Sequence, residues 1–177
     1  MEERRILQRE DYDELVAPRF ELVARQCGRE ETARNVLRMR DELREALVGS
    51  EVPLCLYHGD LRSKHVQVRR DGSVVGILDW GASEELLLPL VDVLHLVAHQ
   101  RKQEEGCSPA RTWKLVRERD ELHPREREAL DTYQQTLGLS EHVRRAIEQV
   151  YPVLVAGMAE RNWDYSRPLW LHRSFGV

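Results

Sequence analysis

The stretch from His58 to Asp92 constrains the fold of this chain more than any other part of its sequence. It follows Leu54-Cys55-Leu56-Tyr57, a short apolar run of the kind that forms a buried strand. Further along, Asp71-Gly72 separates two more apolar runs, and this pair is a strong signal for a tight β-hairpin. Because a hairpin brings the chain back to its starting end, Asp60 and Asp79 are predicted to lie at one end of a small sheet.

Two carboxylates placed together have both a chemical and a structural interpretation. Such a pair can hold a divalent cation and accept a proton from an attacking hydroxyl, as phosphoryl transfer requires. The structural alternative is that Asp60 and Asp79 only stabilise turns. Asp92 lies in an apolar and therefore buried helical run, where an ionised carboxylate needs hydrogen bonds. We expect Asp92 to accept them from loop amides and to brace the Asp60 loop rather than react.

The rest of the sequence predicts a chain that is mostly helical. Apolar residues recur at the helical period, and Gly, Ser and Pro mark the ends of the segments. Pro53 is expected to break the chain, and Pro152 to kink the last helix. The predicted fold is one α+β domain, mostly α, over residues 1–177. Its predicted helices cover residues 10–26, 30–48, 89–99, 109–119, 124–137 and 140–158.

Composition argues against several functional classes. The net charge of −4 and the pI of about 6.0 argue against nucleic-acid binding, which normally uses a basic face. The three cysteines, Cys27, Cys55 and Cys107, form no C-x-x-C pair, which argues against a disulfide scaffold or a zinc site. We see no secretory signal, and the apolar run 86–98 is too short to span a bilayer. These features favour a cytoplasmic protein without a membrane or nucleic-acid partner.

The central segment resembles the aminoglycoside phosphotransferase family of small-molecule kinases, which are distant relatives of protein kinases. In that family the catalytic loop has His-Gly-Asp, four residues and then Asn. An Ile-Asp-Trp or Ile-Asp-Phe segment holds the metal, and a further Asp follows in a helix. Here His58-Gly59-Asp60, Leu78-Asp79-Trp80 and Asp92 occur in that order. The resemblance implies a protein-kinase-like C-terminal lobe whose small hairpin carries the catalytic and metal-binding loops.

The resemblance also implies roles for single residues. Asp60 is then the catalytic base and His58 the catalytic-loop residue that packs beneath it. Asp79 holds the metal that bridges the nucleotide phosphates, with Mg²⁺ and ATP or GTP as the implied cofactors. Arg62 and Lys64 place positive charge beside the loop, where they either bind phosphate or belong to a solvated hairpin edge.

Two departures from the family pattern bear on activity. His65 occupies the metal position that is Asn in the family, and imidazole suits a hard cation such as Mg²⁺ less well than oxygen does. Second, the residues before Asp60 predict two helices instead of the nucleotide-gripping N-terminal lobe. The chain is therefore expected to begin where the second lobe of the family begins, with the N-terminal lobe absent.

Three interpretations of function follow. The first is a phosphotransferase that moves a nucleotide γ-phosphate to a hydroxyl of a small molecule, once an N-terminal lobe completes it. The second is a degraded, kinase-derived module for binding ligands or partners, and the third is a helical scaffold with chance motifs. The expected partners are a chain that supplies the missing lobe, or a second copy meeting this one through exposed apolar surface. A small-molecule acceptor is also expected.

Two further features leave alternatives open. His95 and His99 are four residues apart and could share a metal, but core histidines are the expected interpretation. The aromatic C-terminal segment, residues 162–175, either packs on its own domain or docks a partner.

Overall fold

The computed structural model describes residues 2–119 and 121–161, so the predicted role of residues 162–175 lies outside the described residues. The fold is α+β and mostly helical, which confirms the predicted class. The helices are α1 Arg9–Leu15, α2 Ala17–Gln26, α3 Glu30–Leu47, α4 Val91–Glu105, α5 Pro109–Glu118, α6 Pro124–Thr136 and α7 Glu141–Arg161. The strands are β1 Glu2–Ile6, β2 Glu51–Tyr57, β3 Val66–Val68, β4 Val74–Ile77 and β5 Glu84–Leu87.

The predicted hairpin is present as the antiparallel pair β3–β4, in which Val66 lies opposite Ile77. Asp71 stabilises its turn by accepting hydrogen bonds from the backbone N–H and the hydroxyl of Ser73. Gly72 has a φ of +86°, the left-handed conformation that an Asp-Gly turn supplies. The sequence therefore predicted both the position of the hairpin and the chemistry of its turn.

A three-stranded antiparallel sheet of order β1-β2-β5 lies beside the hairpin. The expectation that Pro53 breaks the chain is wrong, because Pro53 lies inside β2, opposite Arg4 of β1. Strand β5 pairs with β2 only at Cys55 and Tyr57, so Pro53 has a strand neighbour on one side alone. Strands tolerate proline, which lacks an N–H, at such positions.

The first predicted helix is two helices, α1 and α2, which meet at Val16. Pro18 lies in the first turn of α2, where its missing N–H has no intrahelical acceptor to lose. The residues before β2 thus form one strand and three helices instead of the two helices that were expected.

Helix α7 is the centre of the core, since it packs against α2, α3, α4 and α5. Its predicted apolar face is buried at Val143, Ile147, Val150 and Leu154. Helical structure continues through Pro152. Cys27, Cys55 and Cys107 are half-buried, and none of the three forms a disulfide. Among the described helices, none is long and apolar enough to cross a bilayer.

Candidate active site

The loop between β2 and β3 is held from below by Asp92, which lies in the first turn of α4. Asp92 Oδ2 accepts the backbone N–H of His58 at 2.6 Å, and Oδ1 accepts that of Gly59 at 3.0 Å. Burial raises the pKa of Asp92, whereas these two N–H groups act to lower it. The predicted bracing role of Asp92 is confirmed.

Gly59 is required where the loop passes the segment after β4. Its φ is +86°, and a Cβ at this position would overlap the carbonyl oxygen of Ala82. A side chain here would therefore meet both backbone strain and a backbone clash. The His-Gly-Asp order has a physical basis, because only glycine fits between its two neighbours.

His58 fastens the loop to the Asp79 segment. Its ring is buried, and Nε2 donates to the carbonyl oxygen of Leu78 at 2.8 Å. Its Nδ1 then accepts the backbone N–H of Asp60 at 3.3 Å, which assigns the proton to Nε2. The ring also contacts the indole of Trp80, with 4.7 Å between centroids.

His65 makes a second link between the two aspartates. Its Nδ1 lies 2.8 Å from the carbonyl oxygen of Asp60, and its Nε2 lies 3.4 Å from Asp79 Oδ2. Asp79 follows β4 in the left-handed conformation, with a φ of 65°, and its side chain is 65% exposed. The structure therefore joins the backbone at Asp60 to the Asp79 side chain through the imidazole of His65.

The carboxylate of Asp60 lies inside a polar cluster. Its Oδ1 is 2.6 Å from Arg62 Nη2 and 3.5 Å from His95 Nε2, and only 16% of the side chain is exposed. His95 Nδ1 is 3.4 Å from the hydroxyl of Tyr151. Asp60 is thus held between a guanidinium of its own loop and an imidazole of α4.

This geometry agrees with a match in sequence. A model of the phosphotransferase enzyme family, APH, matches residues 1–128, which is well over half of the 177-residue chain. The chain belongs to the APH phosphotransferase family. No curated protein and no solved structure matches it. The match ends within α6, so α7 lies beyond the part of the chain on which family membership rests.

The magnesium ion that the APH resemblance implies does not fit the ligand set. The carboxylate of Asp79 suits Mg²⁺, but the atom beside it is an imidazole nitrogen, and Mg²⁺ prefers oxygen. Within the described residues, no group of three or more His, Cys, Asp or Glu is arranged to hold a metal. An ion bound between Asp79 and His65 would take its remaining ligands from water or phosphate.

The two candidate phosphate-binding residues lie in different surroundings. Arg62 contacts Asp60, whereas Lys64 is exposed in the short 3₁₀ turn Ser63–His65. Arg69 and Arg70 are exposed at the hairpin turn. Of the predicted pair, Lys64 is therefore the cation that remains available to a ligand approaching from solvent.

His95 is the site residue that sequence reasoning missed, since it was assigned to the core. It lies three residues after Asp92, so both side chains emerge from the same face of α4 and point toward the same loop. That spacing is the sequence signal that predicts the contact. His99, one turn further on, lies 6.2 Å from His95 between ring centroids.

Proposed function

We propose that this APH-family chain carries a phosphotransferase site that moves the γ-phosphate of ATP or GTP to a hydroxyl of a small molecule. The observation that supports it is the coupling of the two aspartate segments: His65 contacts Asp60 and Asp79, and Asp92 braces the backbone just before Asp60. Phosphoryl transfer depends on such fixed positioning more than on covalent participation of the protein.

In the proposed reaction Asp60 acts on the acceptor. The acceptor oxygen bonds to the γ-phosphorus, the bond from phosphorus to the β–γ bridging oxygen breaks, and the nucleoside diphosphate leaves. Asp60 takes the hydroxyl proton, for which its Oδ1 must exchange the contact with Arg62 for one with the acceptor. Arg62, once released, and Lys64 are the proposed phosphate contacts.

We propose that a nucleotide-gripping lobe covers the hairpin. The apolar side chains of the hairpin are unusually exposed, from 37% for Ile77 to 60% for Val68, and so are those of Leu78 and Trp80 after it. Such a concentration of exposed apolar side chains is typical of an interface. The lobe would come from another chain or from further residues of a longer protein, and a second copy of this chain is the alternative occupant.

The second candidate function, a degraded kinase-derived binding module, also has specific support. The carboxylate of Asp60 is paired with Arg62, so an acceptor hydroxyl must displace the guanidinium before this carboxylate can act as a base. His65 replaces the metal-binding Asn of the family. Both changes reduce catalysis without disturbing the fold of the loop.

A transfer assay separates the two functions. The chain, alone or fused behind the N-terminal lobe of an active APH-family enzyme, is incubated with γ-labelled ATP or GTP and a panel of hydroxyl compounds. We expect transfer in the fusion only, reduced about 10²- to 10⁴-fold by Asp60→Asn because the proton acceptor is lost. Asp13→Asn, on the exposed side of α1 and away from the hairpin, is the control and leaves transfer unchanged.

Three other results would change the conclusion. Labelled product that is insensitive to Asp60→Asn would contradict the assigned base. Turnover by the chain alone would show that the lobe is not needed. Absence of product in every sample, with ligand binding retained, would favour the binding module.

A further inference from the structure

We propose that the cation site beside Asp79 selects a divalent first-row transition-metal ion, such as Zn²⁺ or Co²⁺, over Mg²⁺, with His65 Nε2 and Asp79 Oδ2 as its protein ligands. The proposal rests on the proposed function only in placing this ion where nucleotide phosphates would bind. Binding of the ion itself requires neither nucleotide nor transfer.

The hydrogen bond made by Nδ1 fixes the state of the His65 ring. A carbonyl oxygen only accepts, so the 2.8 Å contact with the carbonyl of Asp60 places the proton on Nδ1. In the neutral ring Nε2 then carries the lone pair, and this lone pair faces the carboxylate of Asp79. Histidines that bind metals are commonly oriented in this way, by a backbone carbonyl on the other ring nitrogen.

The separation of the two ligand atoms suits a tetrahedral ion. Nε2 and Oδ2 are 3.4 Å apart. Two ligands about 2.1 Å from a tetrahedral ion are separated by about 3.4 Å. Adjacent ligands of octahedral Mg²⁺ are separated by only about 3.0 Å. A charge-assisted hydrogen bond between imidazolium and carboxylate would be shorter still, at about 2.7–2.9 Å.

The site is rigid on one side and open on the other. The His65 side chain is 7% exposed, and its ring stacks on that of His58 at 5.8 Å and an interplanar angle of 20°. Asp79 is exposed, so solvent reaches the remaining coordination positions. One buried and one exposed protein ligand leave open the positions that an ion needs if it is also to accept phosphate oxygens.

The test measures metal binding by the full chain, without nucleotide. Zn²⁺ and Mg²⁺ are titrated by calorimetry, and Co²⁺ by its visible absorption, which reports nitrogen coordination. We expect Zn²⁺ and Co²⁺ to bind at least tenfold more tightly than Mg²⁺. His65→Asn, which restores the residue typical of the family, should weaken the binding of Zn²⁺ and Co²⁺ by at least tenfold. It should strengthen the binding of Mg²⁺. His142→Asn, on the exposed start of α7, controls for other histidines and should change nothing.

A second variant keeps the test decisive if His65→Asn does not fold. Asp79→Asn alters an exposed side chain and should also weaken Co²⁺ at least tenfold. Equal affinity for Zn²⁺ and Mg²⁺ in the wild type, or Co²⁺ spectra unchanged in both variants, would overturn the proposal. Nucleotide binding measured on the same samples is a separate result, so its failure would count against the proposed function and not against the metal selectivity.

Discussion

At the scale of single residues, the site depends on a few backbone positions that tolerate almost no substitution. Gly59 combines a positive φ with a close approach to Ala82, and Asp79 keeps a left-handed conformation although it has a side chain. Such conformations occur where surrounding structure enforces them, and they are frequent at functional sites. The loop between β2 and β3 is therefore expected to be more sensitive to substitution than an ordinary connecting loop.

Gly59→Ala should destabilise the protein more than a substitution that only strains the backbone. Gly72 is the matched control, because it has the same φ of +86° but no atom within 4 Å of an added Cβ. We expect Gly72→Ala to cost about 1–2 kcal/mol from left-handed strain. Gly59→Ala should cost more, because the new Cβ also displaces Ala82. Equal free energies of unfolding in urea would contradict the close approach.

Asp92→Asn should lower stability by about 1–3 kcal/mol. The asparagine keeps the shape of the side chain but presents an NH₂ group to one of the two N–H donors that Asp92 accepts, from His58 and Gly59. Asp13→Asn, on the exposed side of α1, is the control and should change stability by less than about 0.5 kcal/mol. A small effect at both positions would show that the brace contributes little.

At the scale of elements, the approach of α2 to α7 is set by a glycine. A Cβ at Gly157 would lie 2.8 Å from the Cβ of Arg19, closer than side-chain atoms pack. This contact connects the N-terminal helices to a helix that lies beyond the residues matched by the family model. The packing of the core thus depends on Gly157, which lies outside the residues that the family model matches.

Gly157→Ala should destabilise the protein, although Ala is normally the better helix former by about 1 kcal/mol. The helices must move apart to admit the methyl group, and the buried contacts between α2 and α7 are then lost. Thermal unfolding of the wild type and the variant shows directly whether the substitution lowers the Tm. A raised Tm would contradict the packing of these two helices.

The sequence predicted elements with a strong local signal and missed those that pairing creates. The α3 helix and the β3–β4 hairpin have clear periodicity and turn chemistry. The charged run of β1 has neither, and it forms a strand only because β2 offers an edge to pair with. Strand β5, Glu84–Leu87, depends on the same partner.

Within the site, the chain order and the hairpin predicted that the segments of Asp60 and Asp79 meet, and His65 contacts both of them. Asp92 was predicted to brace the loop, since a buried carboxylate needs donors. The contact between His95 and Asp60 was not predicted, because it depends on how α4 is rotated against the loop. Packing on other helices decides this rotation, but the spacing of three residues from Asp92 already places His95 on the face of α4 that meets the loop.

At the scale of the whole molecule, His95 and His99, which lie on α4 beside Asp60, make the stability of the domain depend on pH. The pKa of His99 is lowered to about 4, mainly because burial disfavours the charged ring. Repulsion from Arg62, His95 and Lys102 adds to this, while Asp60 opposes it. The folded state therefore prefers the neutral ring of His99.

This shift determines how stability changes with pH. An unfolded imidazole has a pKa of about 6.5, so between pH 6.5 and 4 the unfolded chain binds a proton that the folded chain does not. The stabilisation is complete above pH 6.5 and is lost as the pH falls toward 4. His99→Gln should make this part of the stability curve flatter, whereas His142→Gln, at an exposed position, should not. Identical curves for all three proteins would contradict the burial of His99.

The most direct test of the account is calorimetry of ATP and GTP binding to the full chain, with and without a divalent ion. We expect binding that requires the ion, is lost in Asp79→Asn, and is retained in Asp60→Asn, since Asp60 is proposed to act on the acceptor and not on the nucleotide. Nucleotide binding that is unaffected by Asp79→Asn and by removal of the ion would contradict a phosphotransferase site at these two aspartates.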